Sequence, residues 1–170
     1  MQIVRGRVIG MTRRLALVSF CVLSLSGCAG DPVPKTTELR VQVVADDQIN
    51  PNTQNDPSPV VLRIYELKSL TTFQQASFFD LLDDDTKALG QDLVAKREIE
   101  IKPGEKQAFD RKTPVDTHFV GVIAGFRVLD SAKWRASVEI EPEHAGAVVV
   151  KVTAQTVTID LAKDKRFGIF

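Results

Sequence analysis

The stretch Glu38-Leu-Arg-Val-Gln-Val-Val-Ala45 places Leu39, Val41, Val43 and Ala45 on one side of the chain and Arg40 and Gln42 on the other. Alternation with a period of two is the pattern of a strand buried on one face, because successive side chains of extended backbone point to opposite sides. A strand of this kind is stable only against a second layer that covers its apolar face. Similar runs recur as VVLRIYEL (60–67), LVAKREIEI (93–101), KQAFD (106–110), HFVGVIAGFRV (118–128), WRASVEI (134–140), AVVVKV (147–152) and TVTIDL (156–161). Pro103-Gly104 marks a turn between two of them, and the stretch from Glu141 to Gly146 marks another. About eight short strands at such spacing predict a mainly β chain folded as a two-sheet β-sandwich. No unit of 20 to 50 residues repeats, which excludes solenoids and propellers.

After the second strand the period changes. Phe73, Ala76, Phe79 and Leu82 recur every third residue, with Phe78 and Leu81 beside them. The spacing predicts a short helical insert over about 71–90, stopped at Gly90, with Phe73, Phe79 and Leu82 packed on the sandwich.

Upstream of the strands, Arg13 and Arg14 precede an apolar run, Leu15 to Leu25, of a signal peptide's length. It is shorter than the roughly 20 apolar residues that span a bilayer as a helix. Leu25-Ser26-Gly27-Cys28 then resembles a bacterial lipobox. The resemblance implies cleavage before Cys28, diacylglycerol on its sulfur and acylation of the freed amine, the only prosthetic group expected. Ala29 after the cysteine, rather than aspartate, implies release to the outer membrane. Three acyl chains exceed the two signals that lasting membrane attachment needs. The expected organisation is a lipoprotein signal peptide at 1–27, a lipidated tether at 28–37 containing Pro32 and Pro34, and the sandwich at 38–170. Met11 alone would also begin a complete signal.

Of the 22 basic residues, Arg5, Arg7, Arg13 and Arg14 lie in the signal, which holds none of the 22 acidic ones. The exported part therefore carries 18 basic residues against 22 acidic, a balance that argues against nucleic acid or anionic headgroups as partners. Cys21 leaves with the signal and Cys28 is capped, so the domain's stability rests on its core rather than on a disulfide. No G-x-S-x-G elbow, phosphate-binding loop or dinucleotide fingerprint occurs, and the expectation is a protein that is not an enzyme. Asp80 and Asp83-Asp84-Asp85 lack the alternate spacing of a calcium loop and read instead as a solvated turn that caps the next helix. His118 and His144 have no paired metal-ligand spacing and read as strand or turn residues. Trp134, with Phe119 and Phe126, reads as a core aromatic.

Between the first two strands, Asp46 to Pro59 supplies fourteen residues, where hairpin loops usually have about two to five. Asn50-Pro51 and Asp56-Pro57 are turn formers. Polar apart from Ile49 and the prolines, the loop offers little to bury within its own domain. Loops this long are either disordered or binding elements, and the prolines reduce the entropy lost on binding.

The order of Leu25-Ser26-Gly27-Cys28, Asn50-Pro51, PSPVVLRIYEL, FQQASFFDLL, Leu89-Gly90, Pro103-Gly104, GVIAGFR and Trp134-Arg135 resembles the TssJ-type (SciN/VasD-like) outer-membrane lipoproteins of the type VI secretion membrane complex. The resemblance implies a transthyretin-like sandwich with added helices. It also implies that the loop of Ile49, Asn50, Pro51, Asn52, Thr53, Gln54, Asn55 and Asp56 docks on the periplasmic C-terminal region of TssM, the IcmF-like inner-membrane protein. Family members often carry glycine just before the Pro-Ser-Pro. Asn55-Asp56 stand here, and both tolerate left-handed backbone better than most residues. The competing expectation is a periplasmic lipoprotein that binds a small ligand or acts as a hydrolase, which requires a concave pocket with convergent polar groups.

The anchor is directly testable. Cys28→Ser is expected to leave the chain uncleaved and unlipidated, so fractionation should find no processed species in the outer membrane, and a processed, membrane-bound variant refutes the lipobox.

Overall fold

A computed structural model of the chain describes residues 35–142, 144 and 146–162. The expected signal, Cys28, most of the expected tether and the last eight residues of the expected sandwich, 163–170, lie outside the described residues. The alternating stretches form eight strands: β1 (Thr36–Ala45), β2 (Val60–Leu67), β3 (Leu93–Ile101), β4 (Lys106–Pro114), β5 (Phe119–Ala124), β6 (Arg135–Glu139), β7 (Gly146–Val152) and β8 (Val157–Leu161). They make two four-stranded sheets, ordered β4-β1-β7-β8 and β3-β2-β5-β6. The β1–β7 pair is parallel, with Val41 opposite Val148, and the other pairs are antiparallel. Pro103 and Gly104 form the expected turn, in which the Glu105 N–H donates to the Lys102 carbonyl (3.0 Å) and Gly104 takes φ of 72°. The fifth strand is shorter than its sequence run, because it stops at Ala124 before Gly125.

The inner faces meet in one apolar cluster that includes Leu39, Val41 and Val43 of β1, Leu62 and Ile64 of β2, Val120 and Val122 of β5, and Val148 and Val150 of β7. Glu66 takes the next inward position of β2 after Ile64 and is buried. Its Oε1 accepts a 2.8 Å bond from Arg111 Nε of β4, so this ion pair ties one sheet to the other.

The second half of β2 is buried on its outer face as well. Tyr65 and Leu67, with Ile123 of β5, lie under three short helices, α1 (Thr71–Gln75), α2 (Phe78–Asp83) and α3 (Asp85–Leu89), closed by a 3-10 turn at Gly90–Asp92. Gly90 stops α3 as expected, with φ of 53°. The facing residues differ from the expectation. Phe73, Phe78, Leu81 and Leu89 are buried, whereas Phe79 is 61% exposed and Leu82 40%. The cause is a break at Ala76, which is extended. Ser77 then caps a new helix, exchanging bonds with Asp80 in a capping box. The restart shifts the phase by one residue, so Phe78 and Leu81 turn inward.

Helices of five or six residues are not stable alone, and side chains from the sheet complete their ends. Arg135 Nη1 of β6 donates to the Phe73 (2.6 Å) and Ala76 (2.8 Å) carbonyls. Arg63 Nη1 of β2 donates to the Leu81 (2.9 Å) and Leu82 (2.8 Å) carbonyls. These are carbonyls left without partners at helix C-termini, where positive charge is also favoured. Asp84 caps α3 by accepting from the Lys87 N–H, in line with the sequence reading. Its neighbour Asp85 departs from that reading, being buried rather than solvated. The Asp85 carboxylate accepts bonds of 2.6 and 2.8 Å from Lys96 Nζ of β3 and lies 3.6 Å from Arg63 Nη1. Burial, followed by the nearby Asp85 charge, pushes the Tyr65 phenol up to about 12. The Phe73 ring lies over Gly121 of β5, where a Cβ would come within 2.8 Å of Phe73 Cζ. Trp134 is half-buried, stacking edge-on against Phe78 at 5.3 Å.

In urea denaturation, Phe73→Ala is expected to lower stability by about 3–5 kcal/mol. Phe79→Ala is expected to stay within about 0.5 kcal/mol of the parent. Equal losses would show that the helices pack in the other phase.

Candidate functional site

The loop from Asp46 to Pro59 is ordered by its own asparagines. At its neck the Ser58 N–H donates to the Ile49 carbonyl (3.0 Å), which closes the segment between them into a compact lobe. Ile49 is fully buried in the inter-sheet core, and Asn50 is buried beside it. Asn50 takes φ of 47°, a left-handed conformation that asparagine accepts more readily than most residues. Its Nδ2 donates to the Pro59 carbonyl across the neck (2.9 Å), and its Oδ1 accepts the Arg127 N–H from the β5–β6 connection (2.8 Å). The Asn50 N–H donates to Ala154 O in the β7–β8 turn, and the carbonyl of Asp46 accepts the Gly104 N–H from the β3–β4 turn. All four connections at this end of the sandwich are thereby joined.

Beyond the neck, Asn52 organises the tip. Its Oδ1 accepts the N–H groups of Gln54 and Asp56 (both 2.9 Å), and its Nδ2 donates to the Asp56 carboxylate (3.2 Å). The Asn52 N–H donates to the Asp56 carbonyl and the Asn55 N–H to the Asn52 carbonyl. Asn55, at φ of 69°, takes the left-handed position that the sequence reading assigned to the Asn-Asp pair. Residues Thr53 to Pro57 are exposed. The lobe is therefore a preformed, solvent-facing shape with much of its backbone polarity satisfied internally, suited to meeting a surface rather than enclosing a small molecule.

The expectation that the loop buries little in its own domain holds for Thr53 to Pro57 and fails for Ile49 and Asn50. Those two side chains are structural, because Ile49 continues the apolar row of β1 into the core and Asn50 replaces missing main-chain partners. The sequence reading also missed the neighbours that share the lobe's end. The alternation of the run 118–128 predicts Arg127 and Val128 as strand residues. The strand instead ends at Ala124 and Phe126 is buried, so the next two residues project outward beside the lobe. Gly125 inside the run was the available signal. His118 and His144 are both exposed, and no group of acids, histidines and cysteines able to hold a metal forms among the described residues. Two concavities among the described residues are open grooves, one over the helical insert around Phe79, Asp83 and Lys87, another at the β1–β4 edge around Arg40, Asp110 and Lys112.

The sequence model of the type VI secretion lipoprotein family (VasD, EvfM, TssJ) matches residues 37–163. No curated protein sequence matches the chain. Among solved structures, the fold is similar to the T6SS lipoprotein TssJ1 from Pseudomonas aeruginosa, with 30% identity, a TM-score of 0.73, and 76% of this chain and 99% of that one covered. A chain in the structure of the T6SS protein TssM C-terminal domain from EAEC is 31% identical, with a TM-score of 0.61 and coverage of 72% and 99%. Serratia marcescens Lip, a membrane-bound component of the type VI secretion system, shares the fold at 22% identity and a TM-score of 0.66, with coverage of 75% and 98%.

Asn50→Ala removes two hydrogen bonds to part-buried main-chain groups and, at about 0.5–1.5 kcal/mol each, is expected to destabilise the domain by about 1–3 kcal/mol. Hydrogen exchange at the Arg127 amide should accelerate with it. Asn50→Gly relieves the positive φ without restoring the bonds, so a glycine variant as stable as the parent would show the amide to be dispensable.

Proposed function

The chain belongs to the type VI secretion lipoprotein family, and from that premise we propose that it is a docking module held at the periplasmic face of the outer membrane. Acylated Cys28 anchors it, and the lobe of the β1–β2 loop binds the periplasmic C-terminal region of TssM, the IcmF-like inner-membrane protein. The work is positional, and no catalytic step is assigned to any residue.

One observation carries this reading: the lobe is internally hydrogen-bonded, exposed and at the far end of β1 from the expected tether. At about 3.3 Å per residue, the ten residues of β1 separate Thr36 from the loop by about 33 Å. A partner reaching outward from the inner membrane meets the lobe first, and the anchored end faces the lipid. The lobe's internal bonds are already made before contact, so little conformational entropy remains to be lost on docking. Two neighbours support the choice of partner. A similar chain, 27% identical, occurs in a type VI membrane complex, and the EAEC match occurs in a structure of the TssM C-terminal domain.

Replacing residues 51–57 by a short Gly/Ser link, with Ile49, Asn50 and Ser58 kept, is expected to leave thermal melting nearly unchanged. Affinity for the TssM C-terminal region, followed by interferometry, should fall more than tenfold, or beyond about 1.4 kcal/mol. Wild-type affinity in a normally melting variant would place docking elsewhere on the sandwich.

A further inference from the structure

The lobe's tip has a property that a strong binding site lacks. Its polar side chains are largely spent on each other. Asn52 is engaged with Gln54 and Asp56, the Asp56 carboxylate accepts from Asn52, and Thr53 bonds to Gln54. Its apolar surface consists of Pro51 and Pro57, and it holds no aromatic or arginine side chain. Binding energy at protein interfaces is concentrated in a few desolvated side chains, with arginine enriched, around which the remaining contacts supply shape.

Arg127, whose backbone is bonded to Asn50 at the lobe's neck, is a side chain of this kind, and Val128 adds exposed apolar area next to it. Val128 is 48% exposed, one of few large apolar residues left at the described surface. Arg127 is exposed, and its guanidinium makes no hydrogen bond or ion pair among the described residues. This sets it apart from Arg63, Arg111 and Arg135, each bound within the domain. Both residues follow Phe126, which is buried in the inter-sheet core, and the Gly125 N–H before it donates to the Val61 carbonyl (2.9 Å). The Arg127 N–H is fixed to Asn50 Oδ1, one residue from the exposed lobe. Arg127 and Val128 are therefore presented on a rigid base in a fixed relation to residues 51–57.

We propose that Arg127 and Val128 are the energetic centre of the docking face, with the lobe supplying its shape, and that the partner meets them with a carboxylate beside a shallow apolar recess. The inference rests on the docking reading above and adds to it the residues that bind and the chemistry they seek. An acidic partner group fits because the guanidinium arrives without a counter-charge and is more weakly hydrated than an ammonium.

The test uses the full chain purified from membranes in detergent and the TssM C-terminal region as probe, with Kd and melting measured for each variant. Arg127→Glu and Val128→Asp are each expected to weaken binding at least tenfold, while melting stays as in the parent because both side chains are exposed. Arg127→Gln should also flatten the salt dependence of association. Leu161→Asp, an equally exposed apolar site on β8, should bind as wild type. Wild-type affinity in both Arg127→Glu and Val128→Asp, alongside loss of binding in the lobe replacement, overturns this inference and leaves the docking reading standing. A tenfold loss in Leu161→Asp also overturns it, by showing that any surface charge disturbs the complex. Absence of binding by the wild-type chain overturns the docking reading and the inference together.

Discussion

Burial of β2 on both faces is the constraint around which the domain is built. Leu62 and Ile64 face the inter-sheet core, while Tyr65 and Leu67 face the helices. A strand of this kind cannot remain at a surface, so it requires a sheet on one side and a cover on the other. The cover is too short to fold unaided, and its polar ends are completed by Arg63 and Arg135, which project from the sheet that it shields. Helices and sheet are thus mutually dependent. The buried Asp85 would be unfavourable without Lys96 and Arg63, and those cations are positioned by strands that need the helices above them.

The strands were legible because their faces differ. Alternation in β1, β2 and β7 locates the core within a residue or two, and Gly90 and Pro103-Gly104 announce their turns through backbone chemistry. The helical insert was legible as an element and misread in phase, since a three-residue spacing continues through Ala76 in the sequence while the backbone does not. Ser77 with Asp80 was the local mark of a restart. Asp85 could not be read from its neighbours, because its burial depends on Lys96 and Arg63, which come from the strands on either side of the insert rather than from the helix itself. Asn50 is a similar case. Its partner Arg127 lies 77 residues away, and a polar residue in a polar loop carries no sign that it is buried.

The lobe and the core are coupled through that asparagine. A loop of Gln, Asn, Asp and Pro composition has little intrinsic reason to hold one shape, yet here Asn52 satisfies the tip and Asn50 the neck. Ile49 extends the β1 row into the core and Ser58 returns the chain to β2, so the domain's stability is carried into the loop. The lobe is in this sense a surface of the sandwich, and a change at Asn50 would reach the neighbouring connections as directly as it reaches the loop.

The placement of β1 has a mechanical consequence. This strand begins at Thr36, within the expected tether, and gives rise to the lobe after Ala45, and it is hydrogen-bonded along its length to β4 on one side and β7 on the other. Inter-strand bonds lie across the strand direction. On the docking reading, a pull between anchor and partner would run along the already extended backbone of β1, and the two ladders would resist in shear whatever part of that load passes to the neighbouring strands. An edge strand, or one pulled from a single end across the sheet, would instead unzip bond by bond. If the chain is held at one end and docked at the other, a sheet threaded in this way would transmit tension with little lengthening.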